Sequence, residues 1–431
     1  MQVLDGYAAA LVAVREANAA RTFAASPALE AQVAVTCEDV KSHGDEAVLR
    51  SARQFDCPSL TLEGLRVTPL EIETAWRQLP ARAQVALRNA AEHIENFHRL
   101  QPTGDWCTTT AGGTFLGQRY TPIRRVGMYA PNGRAAYPST VLMLAMPARV
   151  AGVKELVLAT PASKDGGAHP VILAAAYVAG ITEIYKMGGA AAVAALAYGT
   201  PTVAPVDKIV GPGSIHLTLA KKHLYGIVGI DGLYGPSEVV VLADRQNDPA
   251  HLAPQLAADL VAQAEHGTDS FVCFISPSQA LCNAVMKEIM AQASASPRGA
   301  IVRESLEKAL ICKVSSMDEA CALANAVAAE HVEIWARDAQ YWSSKIPDAG
   351  AIFLNTPVPL GDYLAGPSHT LPTGATARFA SGVGVDTFLK RTSLIGASRE
   401  ALRPLAEDLE VIALLEELPG HAAAIQRAAA A

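Results

Sequence analysis

From about Gly117 to about Arg378 the sequence alternates short β-type runs with Ala-rich helical runs, and this alternation restricts the chain to few architectures. "RVGMYAP", "ELVLATP", "EIYKMGG" and "DKIVGPG" read as strands, separated by "STVLMLAMPARVAG", "VILAAAYVAG" and "AAVAALAYG". Strands joined through helices cannot pair as hairpins, so they must form a parallel sheet built from βαβ units. After "GPSEVVVLAD" the same grammar restarts with "HLAPQLAADLVAQAEHG", "SFVCFISP", "QALCNAVMKEIMAQAS", "ALICKVSS", "MDEACALANAVAAEH" and "AIFLNT". Two tandem α/β domains are expected, over residues 117–236 and 237–378. Residues 1–116 read as a helical region, with Thr68 and Pro69 marking one helix start. Residues 379–431 read as a strand-free helical tail, of a kind that packs on a second subunit.

At 431 residues the chain exceeds one comfortable core, and 50% hydrophobic content marks an ordinary globular protein. A net charge of −7, with no run of Lys or Arg longer than two, excludes the electrostatic footprint of a nucleic-acid or anionic-membrane binder. The seven cysteines form no C-x-x-C pair and read as reduced thiols, which places the protein in the cytoplasm. No signal peptide is expected at the N-terminus. The longest apolar run, "VILAAAYVAGI", is too short to span a bilayer.

Four polar constellations end apolar elements, and in α/β sheets ligands bind outside the carboxyl ends of strands. Gln263 and His266 in "QAEHG" stand i and i+3 on one helix face, either half of a metal site or the polar end of a surface helix. Glu330 and His331 in "AAEHVEIW" offer a carboxylate and a general base, or a His that satisfies a helix dipole. Asp362 and His369 share the Gly/Pro-rich loop "GDYLAGPSHTLPTG", which can converge polar groups or serve as a capped turn. Glu416 and His421 flank a Pro-Gly break in the tail, where a solvated helix end serves equally. Gly-rich turns in "GMYAPNGRAAYPST", "KMGGAAAV" and "VGPGS" lie between strand and helix, where backbone N–H groups can take a phosphate, but no G-x-G-x-x-G, Walker A loop or G-x-S-x-G elbow occurs.

Taken in order, "YAPNG", "YPSTVLMLAMPARVAG", "GGAAAVAALAYGT", "DKIVGPGS", "GPSEVVVLAD", "QAEHG", "EHVEIW", "GDYLAGPSHTLPTG", "FLKRTSLI" and "GHAAA" resemble the histidinol dehydrogenase family over roughly residues 20–430. The resemblance implies two incomplete Rossmann-like domains and a homodimer with a swapped tail. It also implies zinc- and NAD-dependent oxidation of a small amino alcohol to the acid in two hydride transfers. By the same resemblance Gln263, His266, Asp362 and His421 are zinc ligands, His331 is the base, and Glu330 activates water. Ser237, His369 and Glu416 match substrate contacts, with Glu416 and His421 supplied by the partner chain, and Tyr129 matches a cofactor contact.

The chain departs from the family pattern at both cofactor turns, with Ala191 where the family reads Gln and Ser214 where it reads Asn. Arg134, Tyr137 and Tyr234 also replace smaller residues. Two other readings follow: a relative that oxidises another small alcohol such as a sulfopropanediol, and a non-catalytic binding protein. Complete retention of Glu330, His331 and the four ligand positions argues against the latter.

Overall fold

The computed structural model describes residues 3–21, 27–132, 135–244 and 248–430, so Arg134 lies outside the described residues. The chain divides into two compact units, Met1–Leu100 with Arg124–Thr387, and Gln101–Ile123 with Phe388–Ala431. The strands in chain order are β1 (Val3–Asp5), β2 (Trp106–Thr109), β3 (Phe115–Pro122), β4 (Arg125–Tyr129), β5 (Glu155–Thr160), β6 (Glu183–Lys186) and β7 (Lys208–Val210). They continue with β8 (Gly229–Ile230), β9 (Glu238–Ala243), β10 (Phe271–Ser276), β11 (Leu310–Lys313), β12 (His331–Trp335), β13 (Ala351–Leu354) and β14 (Leu389–Gly396).

The first unit holds two parallel sheets. One has the order β6-β5-β4-β7-β8 and the other β1-β11-β10-β9-β12-β13. Numbered from its own first strand, each sheet runs 3-2-1-4-5, the Rossmann order without its sixth strand, and β1 is added to the edge of the second. Both sheets are covered on both faces, which is why β4, β9 and β10 are buried along their whole length and are apolar apart from one polar residue at an end of each, Arg125, Glu238 and Ser276. On the second sheet, helices Pro249–Ala264 and Gln279–Ala295 cover one face, and helices Tyr7–Arg21 and Met317–Val327 cover the other. On the first, helices Gly189–Tyr198 and Ile215–Leu224 pack beneath Pro27–His43 and Asp45–Phe55. Helices Pro138–Ala151 and Pro170–Ala179 are apolar nearly all round because Ala81–Arg99 and Pro69–Gln78 lie over them.

The second unit contains an antiparallel sheet, β14-β3-β2, with helices Ala406–Leu415 and Pro419–Ala430 packed on each other. This corrects the expectation of a strand-free tail. β14, "LKRTSLIG", is largely exposed and carries polar residues on both faces, so it has no apolar alternation to betray it; eight residue pairs with β3 hold it. The N-terminal region likewise contributes two strands, β1 and β2, in addition to its helices.

Candidate active site

β9 and β12 are parallel neighbours, with His331 opposite Val239, so their amino ends bring Glu238 beside the Glu330-His331 pair. The helix before β12 ends at Ala328 in the left-handed conformation (φ 51°), and Glu330 sits in the short link to the strand. Its carbonyl is approached so closely by Gly350 that a Cβ there would lie 2.6 Å from it. The Glu330 carboxylate accepts from the Glu238 N–H at 3.0 Å. His331 donates from Nδ1 to the Glu238 carbonyl at 3.1 Å, which leaves Nε2 as the basic nitrogen, 3.5 Å from Asp362 Oδ1.

Asp362 comes from helix Val358–Tyr363, whose first N–H is anchored on the Glu333 carboxylate at 3.0 Å. Its carbonyl accepts from His369 Nδ1 at 2.9 Å, so His369 turns Nε2 toward Thr140 Oγ1, 3.3 Å away. Gln263 lies in the last turn of helix Pro249–Ala264, which is capped at its start by Asp248. The helix stops at Ala264, and His266 therefore projects from the turn beyond it rather than from the helix face expected by spacing.

Electrostatics tie these groups together. Burial pushes Glu330 up to about 7, against the opposing influence of His331. Burial would depress His331, but Glu330 and Asp362 outweigh it and raise the imidazole to about 9. Burial also works to raise Asp362, yet His331, His369 and His266 together hold its carboxyl below the ordinary range. His266 and His369 are themselves lowered by burial. Beside His266 opens a cavity of about 320 Å³, lined among others by Glu265, Arg298, Tyr137, Tyr363 and Leu142.

Among the described residues, no three His, Cys, Asp or Glu side chains are drawn together as a metal-holding group. The donor chemistry nonetheless fits a borderline divalent cation, since Asp362 supplies a carboxylate held ionised and His266 a neutral imidazole. Gln263 is 3% exposed and its amide nitrogen has no hydrogen-bond partner among the described residues; the reversed amide would present an acceptor oxygen at that point. Glu416 and His421 belong to the second unit and are exposed there, while Ser237 is half-buried just before β9.

The cofactor candidates lie at the opposite edge of the other sheet. Tyr129 ends β4, and its hydroxyl accepts from the Gly189 N–H at 3.3 Å. Ser214 is the exposed N-cap of helix Ile215–Leu224, without a side-chain capping bond, whereas Ala191 is 1% exposed within the core. Gly211 (φ +114°) must be glycine, because a Cβ would lie 2.5 Å from the Tyr129 carbonyl. Its N–H donates to Asp231 at 2.7 Å, and Asp231 is paired with the buried Lys221. These turns follow β4, β6 and β7, and strand order reverses between β4 and β7, the usual location of a dinucleotide.

Sequence reasoning locates neither Glu238, nor the Arg21 that pairs with it at 2.6 Å, nor the Lys221–Asp231 pair. For Glu238 a signal exists: it is a charged residue heading an otherwise wholly apolar strand.

The histidinol dehydrogenase family model matches residues 19–428. The chain belongs to the histidinol dehydrogenase family. It is 50% identical over 390 residues to the histidinol dehydrogenase of Moorella thermoacetica, covering 90% of this chain and 91% of that one. Identity to the Synechococcus histidinol dehydrogenase is 45% over 400 residues, covering 92% and 91%. The crystal structure of histidinol dehydrogenase from Elizabethkingia anophelis superposes with a TM-score of 0.89 at 34% identity, over 93% of this chain and 92% of that one. The family is one of oxidoreductases. Among the described residues no helix is long and apolar enough to cross a membrane.

Proposed function

We propose that the protein oxidises L-histidinol through histidinal to L-histidine, as a zinc- and NAD-dependent homodimer of the cytoplasm. The observation that carries this reading is the convergence of Glu330, His331 and Asp362 in one buried cluster beside the cavity at His266. Gln263, His266 and Asp362, with His421 of a second chain, would hold the zinc. Bound there, zinc would supply a Lewis-acidic anchor for the substrate's nitrogen donors, and NAD would supply the hydride acceptor for each oxidation. In its neutral form, reached by loss of the proton that Glu330 and Asp362 favour, His331 takes the hydroxyl proton at Nε2, since Nδ1 is committed to the Glu238 carbonyl. Glu330 takes a proton from the water that adds to the aldehyde, a role suited to a carboxyl lifted to about 7. Ser237, His369 and the second chain's Glu416 orient the substrate, and Tyr129 and Ser214 flank the cofactor.

A second reading changes the alcohol. Tyr137 and Arg298 line the cavity beside His266 and narrow it with a ring and a cation. NADH formation by the purified protein, measured on histidinol and a panel of short alcohols with and without zinc, separates the two. Zinc-dependent turnover of histidinol at a kcat/KM at least tenfold above the rest supports the first reading. Turnover of another alcohol alone overturns it.

A further inference from the structure

Glu238 is 1% exposed and neither lines the cavity nor bonds to the candidate metal ligands, yet its bonds reach two segments that carry the candidate active site. Its carboxylate accepts from the N–H of Glu330 at 3.3 Å, while its own N–H donates to the Glu330 carboxylate at 3.0 Å, a reciprocal clamp between the heads of adjacent strands. Its carbonyl fixes His331 through Nδ1. The other carboxylate oxygen accepts from the N–H of Gly374 at 2.8 Å, at the end of the loop that carries Asp362 and His369. A neighbouring bond at 2.6 Å, from the Gly235 N–H to Thr373 Oγ1, ties the same loop to the segment holding Ser237.

An ionised carboxylate so deeply buried requires a counter-charge. Arg21, at the last turn of helix Tyr7–Arg21, supplies it at 2.6 Å, and its guanidinium lies 3.9 Å over the Phe271 ring. Neither partner lines the cavity, and neither belongs to the proposed acid-base set.

We infer that Glu238, with Arg21 as its counter-ion, is a positioning residue that holds Glu330, His331 and the Asp362–His369 loop in register for proton transfer. The inference rests on the reading of Glu330 and His331 as the acid-base pair. A Gln at 238 keeps the shape of Glu but offers one acceptor oxygen where two N–H groups require one each, and it leaves Arg21 without its counter-charge. Because proton transfer depends steeply on placement, a displacement of the pair acts on kcat rather than on substrate binding.

The experiment compares Glu238→Gln, the double variant Arg21→Met with Glu238→Gln, and His331→Asn, all as the zinc-loaded full chain, for thermal midpoint, zinc content and the kinetics of histidinol oxidation. Expected for Glu238→Gln is a kcat about 100-fold below the parent, with unchanged zinc and KM values within about twofold. Removing Arg21 as well restores the thermal midpoint by eliminating the lone cation but leaves kcat low, which a purely structural ion pair would not do. Recovery of kcat together with the midpoint, or parental kcat in Glu238→Gln while His331→Asn is inactive, overturns the inference. Parental kcat in His331→Asn overturns the underlying acid-base reading instead. Should Glu238→Gln fail to fold, the double variant decides: reduced kcat supports positioning, and parental kcat refutes it.

Discussion

His331 and Glu333 share one face of β12, while Val332 and Ile334 pack into the core on the other, and the two polar residues meet quite different surroundings. Glu333 is fully buried and accepts from the Trp335 indole at 2.8 Å and the Val358 N–H at 3.0 Å. Burial first, and then the nearby Asp259 carboxylate, raise it to about 8. Its folded pKa thus exceeds its unfolded value, so the stability it contributes is full below the unfolded pKa of about 4.3 and is lost as pH rises through about 8. Asp259→Asn keeps an acceptor for Gln255, which donates to both Asp259 oxygens, and turns a donor toward Glu333. With the like charge gone, the variant should gain about 1 kcal/mol over the parent at pH 8 and little at pH 5. Urea denaturation at the two pH values checks the difference, and an equal effect at both would refute the role given to the Asp259 charge.

At the scale of elements, two sheets of the same strand order are used from opposite edges. The cofactor turns follow the carboxyl ends of β4, β6 and β7, as the rule for α/β sheets leads one to expect. Glu238 and His331 instead open β9 and β12 at their amino ends, so the expectation that all four polar constellations lie beyond carboxyl ends fails in the second sheet. Where strands lie was legible, because β9 and β10 are apolar but for Glu238 and Ser276 at their ends; which edge would gather the chemistry was not, because that depends on how Asp362 and His369 fold back over the strand heads. Three-residue β1 and polar β14 escaped for the opposite reason, since pairing rather than burial defines them. The two departures at the cofactor turns also part company. Ser214→Asn preserves a good N-cap at an exposed position, and should lower the KM for NAD about two- to tenfold, the effect of one added hydrogen bond of 0.5–1.5 kcal/mol. Ala191→Gln places an amide in a closed core and should cost about 1–3 kcal/mol of stability, read as a lower thermal midpoint whatever it does to NAD.

On the scale of the whole molecule, the second unit displays exposed apolar side chains, including Val411 at 51%, Ile412 at 54% and Leu415 at 79% exposure. Such a surface beside Glu416 and His421 suits a second copy of the chain. Sedimentation should give a dimer for the parent and a monomer without activity for Ile412→Asp with Leu415→Asp. Mixed chains of His331→Ala and His421→Ala, each inactive alone, should recover part of the parental rate after subunit exchange, and no recovery after demonstrated exchange would count against a shared site. The edge strand β1 carries a consequence of another kind. Its partner is β11, and the Asp5–Lys313 pair that joins them spans 308 positions. During synthesis β1 must wait unpaired until nearly three quarters of the polypeptide has left the ribosome, and Arg21, on the helix that follows, waits with it for Glu238. Closure across so long a span is slow and leaves an open sheet edge in the nascent chain, so activity should emerge late in refolding, after most of the helical signal has returned.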